Sequence, residues 1–396
     1  MVVDSHDLPS ATDPDKPIPV RSLRELIDIV SGRTAQPDYP EEDSGLAESL
    51  PYPFLALVGQ NEMKLALLLS LINPAIGGVL LVGPRGTGKT TAVRSLLNLL
   101  PDVEHSSCFY GCTVEDVETG GIDAICPNCA KKYAEGTPLS VIEPVRLVEL
   151  PLNARLEDVV GGMDERAVTH ERFRLHRGIL ARADKNILYV DEVNLLEDMI
   201  ADSILDAAAQ GSYTVRRGPL AATYKSRFTL IGSMNPEEGS LRPQIMDRFG
   251  LRVFVRGLIE PQQRLEAYRR VHAFLGNPRR FVGEYTADTL TAREEIIAAR
   301  KLLPSVQISD ETARLGIDLI RYLEIDSLRA EITLFESARA YAAADNRACV
   351  TNEDLRLVAP MALRLRRSEF IARFFSDRSI EDELIHETLE RTLPNG

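Results

Sequence analysis

No stretch of this chain approaches the roughly 18 uninterrupted apolar residues that a membrane-spanning helix needs, so a helical membrane protein is excluded. The start, from Met1 to Lys16, is acidic and contains proline, and it lacks the basic and apolar regions of a secretion or transit signal. A cytoplasmic location is the expectation. Positive charge is also short. With 46 basic against 59 acidic residues the net charge is −13, which disfavours wholesale binding to a nucleic-acid backbone. The basic cluster of Arg364, Arg366 and Arg367 reads as the solvated face of a C-terminal helix. Cysteines are too few, five in 396 residues, for a disulfide-stapled scaffold. No internal repeat is visible, which excludes a solenoid.

What remains is a chain with 44% hydrophobic content, enough for a sizeable core, and a length suited to two or three domains. Residues 1–50 are rich in proline and carry acidic residues at Glu41, Glu42 and Asp43, a composition that suits a flexible arm with a short helix around Leu23 to Val30. Apolar strands are expected at Gly78 to Val82, Arg146 to Leu150, Ile187 to Val190, Phe228 to Ser233 and Leu251 to Val255. Helical patterns lie between them. This alternation predicts an α/β domain over residues 51–260, with a five-stranded parallel sheet covered on both faces. From 261 to 396 strand signals fade, and helices are expected at Gln262 to Phe274, Ala292 to Leu303, Asp310 to Leu323, Ala330 to Ala344 and Asn352 to Leu365. Asp310 and Thr351 are candidate N-caps in this all-α second domain.

Between the first strand and an amphipathic helix beginning at Lys89 lies Gly83-Pro84-Arg85-Gly86-Thr87-Gly88-Lys89-Thr90, followed by Thr91. It fits the G-x-x-x-x-G-K-[ST] phosphate loop in the required strand-to-helix context. Glycines let backbone N–H groups curl around phosphate oxygens, Lys89 brings positive charge to the β- and γ-phosphates, and Thr90 offers a hydroxyl to Mg²⁺. The strand Ile187 to Val190 ends in Asp191 and Glu192, suited respectively to holding hydrated Mg²⁺ and to polarising an attacking water. An acidic N-cap for a helix from Leu195 to Ala209 is the alternative use of this pair. The next strand ends at Asn235, which could hold the lytic water or simply form a turn before Pro236. Arg248 closes a short helix and is a candidate arginine finger, with a surface ion pair as its other reading.

The pattern Cys108-x-x-x-Cys112, then Cys126-Pro127-Asn128-Cys129, sets two close thiol pairs within an insert at about 105–135. Two such knuckles can converge on a tetrahedral, structural Zn²⁺, while a redox dithiol or four free thiols are the alternatives. His105 is a lesser candidate ligand. Cys349 stands apart and is expected to be a buried apolar residue.

Together these motifs resemble the AAA+ P-loop ATPases, and more closely the I subunits of magnesium chelatase. The matching runs are Phe54 to Leu68, Gly77 to Thr91, Leu150 to Val160, Gly178 to Asp198, Gly232 to Gly250 and Leu328 to Ile332. The resemblance implies a nucleotide domain with a helical lid, and a homo-oligomeric ring, a hexamer, with ATP bound between subunits. It implies adenine contacts from Val58, Gly59 and Gln60, and a sensor-2 role for Arg329. Leu156 to Arg177 is similar to an insertion in the second helix, and Ser212 to Ser226 to a hairpin before sensor 1. The implied partners are a D-type AAA+/integrin-like subunit and an H-type porphyrin-binding subunit, acting in chlorophyll biosynthesis by inserting Mg²⁺ into protoporphyrin IX. A cobalt-inserting chelatase or a MoxR-like protein-remodelling ATPase would use the same nucleotide chemistry. The cysteine insert and the acidic arm depart from the family pattern.

Overall fold

The computed structural model describes residues 50–108, 110–162, 177–217, 220–239 and 241–367. Residues 1–49 of the expected arm, with its short helix, and most of the helix-2 insertion lie outside the described residues. In chain order the first elements are α1 (Asn61–Ile72), β1 (Val79–Val82), α2 (Lys89–Ser95), β2 (Val103–Ser106), α3 (Val114–Gly120), α4 (Pro127–Ala134), β3 (Ser140–Glu143), β4 (Leu147–Leu150) and α5 (Leu156–Val160). After them come α6 (Ile179–Arg182), β5 (Ile187–Val190), α7 (Asp198–Gln210), β6 (Ser212–Arg217), β7 (Leu220–Lys225), β8 (Thr229–Met234), α8 (Pro243–Arg248) and β9 (Leu251–Phe254). The helical region contains α9 (Pro261–Gly276), α10 (Pro278–Glu284), α11 (Thr286–Leu302), α12 (Asp310–Tyr322), α13 (Leu328–Ala344) and α14 (Asn352–Leu363).

Strands β4, β5, β8, β1 and β9 lie side by side in that order, every pair parallel. A strand side chain points to alternate faces, and the sequence exploits this on both. Val79, Leu81, Ile187, Tyr189, Leu251 and Val253 enter one core, while Leu80, Val82, Leu188 and Val190 enter the other. Burying each of these residues contributes about 1.5–3 kcal/mol, which is why β1 and β5 read as unbroken apolar runs, VLLV and ILYV, buried at every position.

The second core is closed by α5, α6, α7 and α8. The first is closed by α1 and α2, and it continues without a break into Ile296, Ala299, Ala330, Leu334 and Ala338 of the helical region. The sheet and the helical region therefore share one core, so a tilt of the helices is felt at the sheet.

Several boundaries differ from expectation for local reasons. The helix after the phosphate loop is α only to Ser95 and tightens to a 3-10 turn over Leu96–Leu99. Ser309, one residue before Asp310, caps α12 by accepting from the Thr312 N–H at 3.2 Å. Thr351 caps α14 in a capping box with Asp354. Cys349 is exposed, contrary to expectation. It sits where a backbone bridge to Gln307 joins the α13–α14 connection to the start of α12, and the backbone alone is used there.

Of the basic cluster, Arg367 is exposed as expected, but Arg364 and Arg366 are not a solvated face. Arg366 is buried and donates to Asp247, to the Gly250 carbonyl at 3.0 Å and to Thr333 at 3.1 Å. Arg364 pairs with Glu62 at 2.5 Å and lies over the Phe254 ring, and Arg367 pairs with Glu324 at 2.5 Å. Arg364 and Arg366 tie the end of α14 to the α8–β9 corner, a use that charge counting along the chain does not reveal.

Candidate active site

The phosphate loop leaves β1 at its C-terminal tip, where two glycines have different tasks. A Cβ on Gly83 would lie 2.0 Å from the Val255 carbonyl oxygen, so the loop must start with glycine to pass that strand end. Gly88 has φ +84°, and it stands in the left-handed region as N-cap of α2. Lys89 is buried, and its ammonium donates to the Gly83 and Pro84 carbonyls at 2.8 Å each. Burial pushes its pKa below the ordinary value, while Asp191, Glu192 and Glu238 pull it back up.

A cavity of about 330 Å³ opens here, lined by Arg85 to Thr91 together with Asp191, Glu192, Ser233 and Asn235. Three strand tips of one parallel sheet thus converge on one crevice, where such sheets bind ligands. Thr90 and Asp191 are joined through Tyr189, whose hydroxyl lies 3.1 Å from Thr90 Oγ1 and donates to Asp191 Oδ1 at 2.9 Å. Ser233 Oγ donates to the same carboxylate oxygen and accepts from the Glu192 N–H at 3.1 Å. Burial pushes the Tyr189 phenol up to about 12, so it stays a donor across the ordinary pH range.

Glu192 has φ +52° and does not cap α7, whose N-cap is Glu197. The acid pair therefore is not spent on that helix. The Glu192 side chain is paired with Arg85 at 3.0 Å, and Arg85 also meets Glu238 at 2.5 Å. Asn235 forms the turn and also faces the cavity. Its Oδ1 accepts from the Glu237 N–H at 3.3 Å, forming the turn before Pro236, its Nδ2 donates to Glu238 at 3.1 Å, and it lines the cavity.

Val58, Gly59 and Gln60 do not line this cavity. Gln60 Nε2 donates to the Arg256 carbonyl at 2.6 Å, and Gly59 packs against Leu258, so the trio abuts the chain just beyond Val255, the residue that backs onto Gly83.

Arg248 and Arg329 lie elsewhere. Both line a cavity of about 220 Å³ beside Gly77, Gly78, Thr229 and Leu230, at the N-terminal ends of β1 and β8. The phosphate loop is at the opposite ends of those strands, five residue steps away along β1, or about 16 Å at roughly 3.3 Å per residue. Arg248 pairs with Asp206 at 2.5 Å, and Arg329 Nη1 donates to Asp247 Oδ2 at 3.0 Å. Asp247 is also met by Arg366 at 2.9 Å and by the fully buried Arg252 at 3.6 Å. Burial raises the Asp247 carboxyl, but the Arg329 hydrogen bond and the charges of Arg366 and Arg252 outweigh it and hold it below the usual range.

The four clustered cysteines are free thiols whose sulfurs all lie within 4.8 Å of one another. Cys108 Sγ is 3.7 Å from Cys112 Sγ and 3.5 Å from Cys126 Sγ. Those spacings are far too long for disulfides at about 2.05 Å. They match the roughly 3.8 Å separation of sulfurs each about 2.3 Å from one tetrahedral zinc ion. His105 is not among the clustered residues.

Sequence reasoning missed Tyr189, Ser233 and Glu238. The signal for Tyr189 was available: a single hydroxyl-bearing residue in an aliphatic strand, two positions before the acid it holds.

A phosphate loop, two carboxylates at the tip of β5 with β8 between it and β1, this strand order and a helical region sharing the core define an AAA+ P-loop ATPase. Such enzymes act on MgATP, and the donors and carboxylates of the cavity fit it. Family comparison agrees, since residues 160–256 match the MCM P-loop domain and residues 315–388 the AAA lid domain. The 38 kDa subunit of magnesium-chelatase from Acidiphilium rubrum is 44% identical over 317 residues, spanning 80% of this chain and 90% of that protein. The magnesium-chelatase subunit ChlI homolog of Methanocaldococcus jannaschii is 44% identical over 322 residues, 81% of this chain and 87% of the relative. A crystal structure of a Cytophaga hutchinsonii protein, 22% identical, covers 84% of this chain and 91% of its own with a TM-score of 0.51, a likeness of fold. The chain belongs to the family of magnesium-chelatase ATPase subunits, the ChlI or 38 kDa subunits.

Proposed function

We propose that this chain hydrolyses ATP at the interfaces of a homo-oligomeric ring, a hexamer, and that the cycle drives insertion of Mg²⁺ into protoporphyrin IX in the cytoplasm. One observation carries the intersubunit part: the phosphate loop and its carboxylates occupy one end of the sheet, whereas Arg248 and Arg329 occupy the other. A head-to-tail neighbour can bring both sets to one phosphate, and the separation within the chain favours that arrangement.

In this reading the phosphate-loop amides and Lys89 bind the β- and γ-phosphates. Thr90 and Asp191, held in register by Tyr189 and Ser233, would hold the Mg²⁺ of MgATP, which supplies charge neutralisation on the phosphate oxygens. Glu192 takes the proton of the attacking water once Arg85 releases it, and Asn235 orients that water. Arg248 of one subunit stabilises the charge that develops at the next subunit's γ-phosphate, and Arg329 acts beside it in trans. Val58, Gly59 and Gln60 hold the adenine. The client complex, a D-type AAA+/integrin-like subunit and an H-type porphyrin-binding subunit, is what the family resemblance implies.

The four cysteines hold a structural Zn²⁺. The reading is supported by the sulfur spacings and by the small core around them, where, among the described residues, the buried hydrophobic ones are Cys112, Ile125, Cys129 and Leu139. A module that small usually needs a metal or another cross-link to hold its shape.

A Glu192→Gln variant should bind ATP without turning it over and so trap the assembled state. Mass spectrometry of what it captures from native extract tests the client. Recovery of D- and H-type subunits supports chelation, and an unrelated enzyme complex in their place would move the assignment to protein remodelling. Cobalt insertion by the recovered complex, in preference to magnesium, would instead point to the cobalt-inserting enzymes.

A further inference from the structure

Between Asp191 and β8 the chain contains a hairpin, β6 and β7, which starts where α7 ends and leads into β8 with its Ser233 and Asn235 tip. The cysteine module is folded against the root of this hairpin. Tyr110 and Gly111, which lie between the first two thiols, make the contact: the Tyr110 ring stacks on Tyr224 with centroids 6.0 Å apart, and Gly111 faces the Lys225 side chain. The residues just after Cys112 add an ion pair between Asp116 and the Lys225 ammonium. Asp116 is itself fixed, accepting from the Thr113 N–H at 2.8 Å and hydroxyl at 2.9 Å in the capping box of α3. Arg177, where the chain returns from the helix-2 insertion, donates to the Cys108 carbonyl. Glu115 lies 3.9 Å from Arg227, in the link between β7 and β8.

We infer that the cysteine module is a zinc-dependent brace on the β6–β7 hairpin, fixing its base and thereby the strand that presents Ser233 and Asn235. This rests on the structural-zinc reading above. The physical reason is that the gripping residues are inside or next to the metal knuckle. Without the ion, Cys108 and Cys112 are not pinned to the Cys126–Cys129 pair, and the loop carrying Tyr110 and Gly111 loses the geometry that meets Tyr224 and Lys225. Among the described residues the hairpin also packs on the second core through Tyr213. Its own small cluster is Val215, Ala222 and Tyr224, with Val160, Ala181 and Tyr213 against it, and Tyr224 belongs to both sides of the contact.

The test uses the full chain in two measurements. Metal analysis of protein purified without added metal should give one zinc per chain, released when the thiols are blocked by a mercurial. Hydrogen–deuterium exchange should then show residues 212–226 exchanging at least ~10-fold faster after zinc is removed, with α1 and α12 unchanged. Because a cysteine variant can misfold outright, the second arm is Tyr110→Ala combined with Asp116→Ala, which should keep its zinc yet show the same loosening. Zinc present with unchanged hairpin exchange, on removal or in the double variant, overturns the brace and leaves the zinc site standing. No metal on the purified chain overturns both.

Discussion

Mixing two inactive variants should restore ATP hydrolysis, because Glu192 and Arg248 serve different sites. Glu192→Gln disables a subunit's own site but leaves its arginines for a neighbour. Arg248→Ala does the reverse. Loss of an arginine finger lowers turnover by about 10³–10⁵, and loss of a general base by about 10²–10⁴, so each variant alone should be nearly silent. In a randomly assembled equal mixture an interface is intact when an Arg248→Ala subunit supplies the loop and a Glu192→Gln subunit the arginine. That happens at about one half times one half, or about one quarter, of the interfaces of any closed head-to-tail ring. Recovery should approach ~25% of wild-type turnover where interfaces fire independently, read as phosphate release against mixing ratio with a maximum at equal parts. Arg329→Ala should behave as Arg248→Ala does. A flat, inactive mixing curve from subunits shown to co-assemble would refute the separation argued from the two ends of β1, provided that wild type diluted with Glu192→Gln loses activity only in proportion, which shows that interfaces fire independently.

The clamp around Asp247 makes a stability prediction. Asp247→Asn leaves the buried Arg252 and Arg366 without their carboxylate and should cost about 3 kcal/mol, the low end for breaking a buried pair, since both guanidiniums also hold carbonyls. Denaturant unfolding would measure it. Acid should act on the same group. The folded-state pKa values of Asp247 and Asp354 are lowered from 3.8, so the stability they contribute is present above about pH 4 and is lost as pH falls through the lowered values. Thermal unfolding between pH 6 and pH 2.5 should show Asp247→Asn losing less than wild type at the acid end. Gly83→Ala should abolish ATP binding, by isothermal calorimetry, because a Cβ would lie 2.0 Å from the Val255 carbonyl. Tyr189→Phe should weaken Mg²⁺ dependence by about tenfold, the cost of one hydrogen bond of roughly 1.4 kcal/mol, and leave nucleotide affinity without metal unchanged.

Much of this molecule was legible in its sequence, and the reason is local. Fully buried strands such as Val79–Val82 and Ile187–Val190 must be apolar at every position, and a loop that wraps phosphate must be glycine-rich, so both leave marks over a few adjacent residues. The phosphate loop, the acid pair, the hairpin and the thiol pairs were found that way. The residues that escaped do their work across long gaps: Tyr189 joins Thr90 to Asp191, and Ser233 reaches Asp191 from another strand.

Charge was the least legible property, because its role depends on what lies opposite. Arg364 and Arg366 looked like solvent-facing helix residues, and they pin the α8–β9 corner instead. Cys349 looked like a core residue and is exposed at a backbone bridge. The sequence by itself determined which chemistry this chain carries, since that chemistry is written in contiguous motifs. Only the tertiary structure decided where the arginines stand relative to the phosphate loop, and that the thiol module grips the hairpin. The place of Arg248 follows from the parallel order of the sheet, which sends one set of loops to each end, whereas Arg329 comes from α13 and the thiol module meets the hairpin through side-chain packing.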